Sequence, residues 1–177
     1  MIISPLDALP YIEKGKFLTG LSERELTAPE GIGFDLRIDE LYRLAGGGGF
    51  LGKTHRNTVQ TEEIKTAGGS KYTLEPGACY LATTIEKFNL PPGIAAIFHP
   101  RSTLFRSGVF AQNSSVPPGY KGSINVALNN ATKENFMIER EARFIHVILV
   151  EVSGESNEYL GQWQGGRTSI TKKEEQI

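Results

Sequence analysis

The stretch 72-YTLEPGACYLATTIEKFNLPPGIAAIFHP-100 consists of short apolar or alternating runs joined through Glu75-Pro76-Gly77 and Leu90-Pro91-Pro92-Gly93. Proline presets φ at about −65° and glycine accepts positive φ, so both junctions read as tight turns. Short runs bounded by such turns read as strands.

The same pattern extends outward on both sides. GFDLRIDELYRL (33–44) precedes the stretch, and SINVALNN (123–130) and FIHVILVEV (144–152) follow it, with a third turn at Val116-Pro117-Pro118-Gly119. No long helical period lies between them, so the chain is expected to be mainly β, an antiparallel barrel or jelly roll. A short helix is expected at the start, over residues 4–14. Ser4-Pro5 suits a cap followed by proline at the first helical position, and Leu6, Leu9 and Ile12 share one face. Pro10 makes that helix short or kinked.

Residues 45–71 are poor in large apolar groups and carry Gly46 to Gly49 in a row, which predicts a mobile surface excursion. No GKS or GKT follows the glycines, so a phosphate-cradling loop is the weaker reading. The end of the chain, 168-TSITKKEEQI-177, is polar and charged, which suits a solvated or partner-ordered tail.

With 177 residues, 39% hydrophobic content and a formal charge of −1, the chain is expected to form one domain spanning 1–177. Near-neutral charge argues against a nucleic-acid partner. Cys79 is the single cysteine, which excludes an internal disulfide and a four-cysteine zinc site, and reads as a half-buried strand thiol. His55, His99 and His146 are scattered without H-x-E and P-C-x-x-C spacing, so zinc deamination is rejected and no protein metal site is expected. No run of about 18 apolar residues and no leader-like start occurs, so no membrane partner and a cytoplasmic location are expected.

The chemistry concentrates where acids are missing. From Lys87 through Lys133 there is no Asp or Glu, while Lys87, Arg101, Arg106, Lys121 and Lys133 lie in that stretch. Its centre, 99-HPRSTLFRSG-108, follows an apolar strand and reads as a short helix start. Backbone N–H groups there, the Ser102 and Thr103 hydroxyls and the Arg101 and Arg106 guanidinium forks would make a phosphate site. The same residues suit an ion-pair cluster at a subunit interface equally well.

PRSTLFRSGV resembles the Arg-Ser-Ser-Leu-x-Arg-x-Gly motif of dCTP deaminases and the Pro-Arg-Ser motif of trimeric dUTP diphosphatases. GFDLRIDELYRL is similar to the family's early Val-Asp-Leu-Arg strand. PPGYKGSINVALNN resembles its Asp-Pro-Gly-aromatic-x-Gly strand, and YLGQWQGG (159–166) the Tyr-x-Gly-Gln segment of a tail that closes over nucleotide. The resemblance runs through residues 4–166 in the family's order and favours the deaminase branch. It implies a dUTPase-like distorted barrel or jelly roll, a homotrimer with sites between subunits, and dCTP, dUTP or dTTP as ligand. Mg²⁺ would enter only with the triphosphate.

By this resemblance Arg101, Ser102, Thr103 and Arg106 line a nucleotide site, with Ser102 and Arg106 as the catalytic pair near the base. Asn113, near the base, Val126 and Ala127 are further nucleotide-binding residues by the same resemblance. Tyr120 sits where a flat ring presses on C2′, and Gln162 reaches phosphate from a flexible tail over 162–177. The sequence departs from the family in its acids. The deaminase glutamate is Ala127 and the diphosphatase aspartate is Pro117; Glu158 replaces a lysine, and the loop from Gly108 to Pro117 is shorter. General acid–base assistance contributes about 10²–10⁴-fold in rate, so family deamination should be severely impaired. Three readings stand: an active enzyme using another acid, a nucleotide-binding or sensing module without catalysis, and a structural trimer.

Overall fold

A computed structural model describes residues 1–66, 69–169 and 174–175. Strands make up 42% and helices 11%, so the mainly β expectation holds. The centre is the strand Arg143–Glu151, whose burial pattern is a nearly continuous apolar run. A strand that reads this way must be covered on both faces.

Arg143–Glu151 is paired along both edges. Strand Ile94–Pro100 runs antiparallel along it from Ile94↔Glu151 to Pro100↔Ile145. On the other edge, strand Phe34–Leu44 pairs its beginning and Ile2–Ile3 its end. From Phe34–Leu44 the sheet continues through Cys79–Thr84 and Asn125–Asn130 to Val109–Gln112. Bulges between Arg143 and Ile145 and between Ile38 and Leu41 interrupt the register. Such bulges bend strands, and the sheet curls into a half-barrel. Tyr80, Phe34, Phe144, Leu36, Leu128 and Leu149 fill its interior.

The opening helix, α1 (Pro5–Ile12), is capped by Ser4, whose hydroxyl accepts from Asp7 N–H at 3.2 Å. Its buried face is Pro5, Ala8 and Ile12 rather than Leu6, Leu9 and Ile12. Leu6 is 73% exposed and Leu9 only packs against the core's margin. Both faces satisfy helical spacing, and the small Ala8 permits the closer approach. A second helix, α2 (Glu23–Thr27), leads into Phe34–Leu44.

Residues 45–66 form short strands, Phe50–Leu51, His55–Asn57 and Thr61–Glu63. Glu174–Glu175 pairs with His55–Asn57, so these two tail residues run beside this segment. Ala67 and Gly68 of the glycine-rich excursion, and Ile170–Lys173 and Gln176–Ile177 of the tail, lie outside the described residues. Cys79 is half-buried on its strand, as expected.

One buried charge is satisfied inside the fold. Glu86 is fully buried, and its carboxylate accepts from Arg37 N–H at 2.9 Å and Arg37 Nε at 2.8 Å. Burial pushes the Glu86 carboxyl up while the Arg37 hydrogen bonds pull it back. Removing one partner of such a pair leaves an uncompensated charge. Arg37→Ala should therefore cost about 3 kcal/mol in urea unfolding. Adding Glu86→Gln to it should recover part of that loss.

Candidate functional site

Two groups of polar residues stand out, in different places. The first follows strand Ile94–Pro100. Pro100 ends that strand instead of opening a helix, because Arg101 N–H still donates to Phe144 O at 3.0 Å. Helix α3 (Ser102–Arg106) then starts with Arg101 as an N-cap that provides no side-chain hydrogen bond. Leu104 anchors α3 in the core and leaves Ser102, Thr103 and Arg106 exposed. Gly108, at φ +72°, returns the chain into strand Val109–Gln112.

Arg101 leans on a buried acid. Register places His146 opposite Asp35, which is 4% exposed. Asp35 pairs with the Arg101 guanidinium and accepts from Arg143 Nη1 at 3.1 Å and His146 Nδ1 at 2.9 Å. Glu25, also buried, accepts from Asp35 N–H at 3.0 Å and pairs with Arg24. Arg101 thus carries the ion-pair role, within one chain. Arg106 pairs with no acid among the described residues; its guanidinium carbon lies 5.9 Å from the Phe105 ring centre.

The second group lines a cavity of about 300 Å³. Asn113, Ser114 and Pro117 come from the loop after Val109–Gln112, and Tyr120, Ile124 and Asn125 from the next turn and strand. Ala96 and Val116 bridge through mutual 2.9 Å hydrogen bonds, which fixes that loop to the sheet. Burial pushes the Tyr120 phenol up to about 12. Its hydroxyl donates to Ser123 O at 2.5 Å, and its ring meets the Tyr159 ring edge-on at 5.6 Å. No Asp, Glu or His lines the cavity among the described residues.

Tail residues form part of its wall. Tyr159 N–H donates to Pro118 O at 2.7 Å and Gly165 N–H to Lys121 O at 2.8 Å. The Gln164 side chain accepts from Lys121 N–H at 2.7 Å and donates to Gly119 O at 3.0 Å. Tyr159, Trp163 and Arg167 thereby join the lining, with the Arg167 guanidinium 5.9 Å from the Trp163 ring centre.

Of the residues singled out by sequence, Asn113 and Tyr120 line the cavity, and Arg101, Ser102, Thr103 and Arg106 do not. Val126 is fully buried in the core, so its side chain faces away. Ala127 shares the half-buried face of its strand with Asn125. Gln162 turns its Oε1 to Arg56 Nε at 2.8 Å instead of to the cavity. Sequence reasoning missed Thr58, Val59, Asn125, Trp163 and Arg167. A lone tryptophan in a glycine-rich polar tail was the one available signal.

Residues 12–152 match the family model described as dCTP deaminase-like. A Methanothermobacter thermautotrophicus protein named "Probable deoxyuridine 5′-triphosphate nucleotidohydrolase" is 34% identical over 79% of this chain and 89% of its own. A Pyrobaculum islandicum dCTP deaminase is 28% identical over 84% and 86%. In fold, the crystal structure of the Agrobacterium tumefaciens 2′-deoxycytidine 5′-triphosphate deaminase superposes with a TM-score of 0.65 at 17% identity. It covers 84% of this chain, which spans 46% of that protein's length. The fold is therefore that of the deaminase and dUTPase-like proteins. The chain belongs to the dCTP deaminase-like family.

Two outcomes follow. Burial pushes the His146 imidazole down, Glu25 opposing and Arg101 reinforcing. The unfolded chain therefore binds a proton between the folded value and about 6.5 that the folded chain refuses. Stability present above pH 6.5 should be lost as pH falls through the folded value, and His146→Asn should flatten that part of the profile in denaturant titrations. In the tail, a Cβ on Gly122, at φ +119°, would stand 2.7 Å from Gly165. Gly122→Ala should lift the tail, shifting Trp163 emission to the red without unfolding the sheet.

Proposed function

We propose that this protein binds a pyrimidine deoxynucleoside triphosphate, base and sugar in the cavity over Tyr120, and that family deamination is severely impaired. The observation that carries this reading is the cavity's lining among the described residues: aromatic and aliphatic side chains, amides, hydroxyls and Arg167, without an acid or histidine. The position of the family's glutamate is Ala127, whose methyl group moves no proton. Tyr120 stays protonated at neutral pH and serves as a surface. Its flat ring against C2′ disfavours a ribose hydroxyl. dCTP, dUTP and dTTP all fit this description.

The triphosphate goes to the Arg101–Arg106 segment. Because that segment does not line the cavity of its own chain, the two halves meet between copies, in a homotrimer like the family's. Arg106 and the Ser102 and Thr103 hydroxyls face outward there, and Arg101 is oriented by Asp35. Among the described residues no cluster of three or more His, Cys, Asp or Glu is placed to hold a metal ion. Mg²⁺ would arrive with the triphosphate and neutralise its charge.

A second reading, hydrolysis of dUTP to dUMP and pyrophosphate, is favoured by the 34% identity to the Methanothermobacter protein. One experiment separates the two. The protein is incubated with dCTP, dUTP or dTTP, with and without Mg²⁺. Products are resolved by chromatography and the melting temperature is recorded. At about 100 times Kd, a ligand bound only by the folded state adds about 2.7 kcal/mol of stability. Binding without turnover should raise the melting temperature by several degrees and leave the nucleotides intact, and Arg106→Ala should abolish the rise. Release of dUTP or dUMP that Arg106→Ala eliminates would establish catalysis.

A further inference from the structure

Strand register sets His146 opposite Asp35, and His146 Nδ1 lies 2.9 Å from Asp35 Oδ1. A carboxylate only accepts, so Nδ1 carries the ring proton and donates it. The other nitrogen, Nε2, therefore keeps a free lone pair. It has no hydrogen-bond partner among the described residues, and it is not one of the buried side-chain atoms left without one. Nε2 is thus open to water, on a side chain that is 25% exposed. Gly33 stands beside it, where a Cβ would press to 2.8 Å from Nε2.

The charges around the ring favour its neutral form. Asp35 Oδ2 pairs with Arg101 and accepts from Arg143 Nη1 at 3.1 Å, while Glu25 stands behind, paired with Arg24 and 3.6 Å from Arg143. With its charge matched by two guanidinium groups, Asp35 orients the imidazole without forcing it to take a second proton. Burial pushes His146 down, Glu25 opposing and Arg101 reinforcing. His99, its exposed neighbour across the strand pair, brings no negative charge. Asp35 is engaged on both oxygens, so the accessible base of the group is Nε2.

An imidazole oriented by a carboxylate, with its second nitrogen free, is equipped to take a proton from a nucleophile. Its neighbour here is Arg101, because the two side chains hold the two oxygens of one carboxylate. We infer that His146 is a general base for nucleotide hydrolysis, taking the proton of a water that attacks the α-phosphorus of a triphosphate held by Arg101, with Asp35 as its positioning residue. This rests on the second reading above, cleavage to monophosphate and pyrophosphate, and supplies the base that Pro117 lacks. The water oxygen bonds to the α-phosphorus as its proton passes to Nε2. The bond from that phosphorus to the bridging oxygen breaks, and its electron pair leaves with pyrophosphate. Nε2 then returns the proton to solvent. No acid is needed in the cavity, because the atom attacked belongs to the phosphate and not to the base.

The test measures deoxynucleoside monophosphate and pyrophosphate formed from dUTP, dCTP and dTTP with Mg²⁺, over about pH 5 to 8, on the full chain. Melting temperatures with and without nucleotide are recorded at each pH, and rates are compared where the chain is folded. Wild type should form the two products in equal amounts. Its rate should be level around neutral pH and fall about tenfold per pH unit once His146 is protonated. His146→Gln should lose about 10²–10⁴-fold in rate yet keep the nucleotide-induced rise in melting temperature. Added imidazole should return part of the rate to His146→Ala. Turnover that survives His146→Gln, or a wild-type rate without the acid limb, overturns the assignment while hydrolysis stands. If neither variant folds, the acid limb of the wild type decides. Nucleotide that stabilises wild type but is recovered uncleaved refutes hydrolysis and its base together and leaves binding intact. If nucleotide neither stabilises wild type nor reacts, the nucleotide reading itself fails, and the role of His146 with it.

Discussion

Strand Arg143–Glu151 is held on both edges, and its register decides what the rest of the sheet can do. Side chains alternate along a strand, so a slip of one residue would send its apolar row to the wrong face. Ile145, Val147 and Leu149 lie on one face and the half-buried His146 on the other, so that slip would turn His146 into the apolar row. The same register sets His146 opposite Asp35 and carries the Ile94–Pro100 partner to the point where Arg101 can reach that acid. The apolar packing thus aims the polar groups.

Those groups divide into two kinds. The buried Asp35 and Glu25 join the half-buried Arg143 and His146 in a network around Arg101, in which the two carboxylates depend on their partners. The cavity wall has the opposite character: Arg167 is its one charged side chain among the described residues, and aromatic and aliphatic groups make up most of the rest. Glycines at 119 and 122 let the tail approach the turn without side-chain obstruction, so part of the cavity wall comes from sequence that no strand pattern would mark.

Much of the fold was legible. The Pro-Gly turns at 76–77 and 92–93 and the apolar runs around them became the strands they suggested, and Ser4 capped its helix. Periodicity failed where two faces were equally plausible, as with Leu6 against Ala8, because the choice lies in how closely the sheet approaches. The site was legible in part. The Arg-Ser motif and Tyr120 stood out by residue type, but Asp35's hold on Arg101, the Arg56 bond that diverts Gln162 and the role of Trp163 are long-range contacts between polar segments. No local pattern encodes such contacts.

In the proposed function the cavity of one copy and the Arg101–Arg106 segment of another make one nucleotide site. Subunit mixing tests this most directly. Tyr120→Ala spoils the cavity and Arg106→Ala the phosphate segment, so neither variant alone should bind nucleotide. Assemblies formed by unfolding and refolding the two variants together should regain binding, because some interfaces then unite an intact cavity with an intact segment. Mixed assemblies that stay as inactive as their parents would contradict the shared site.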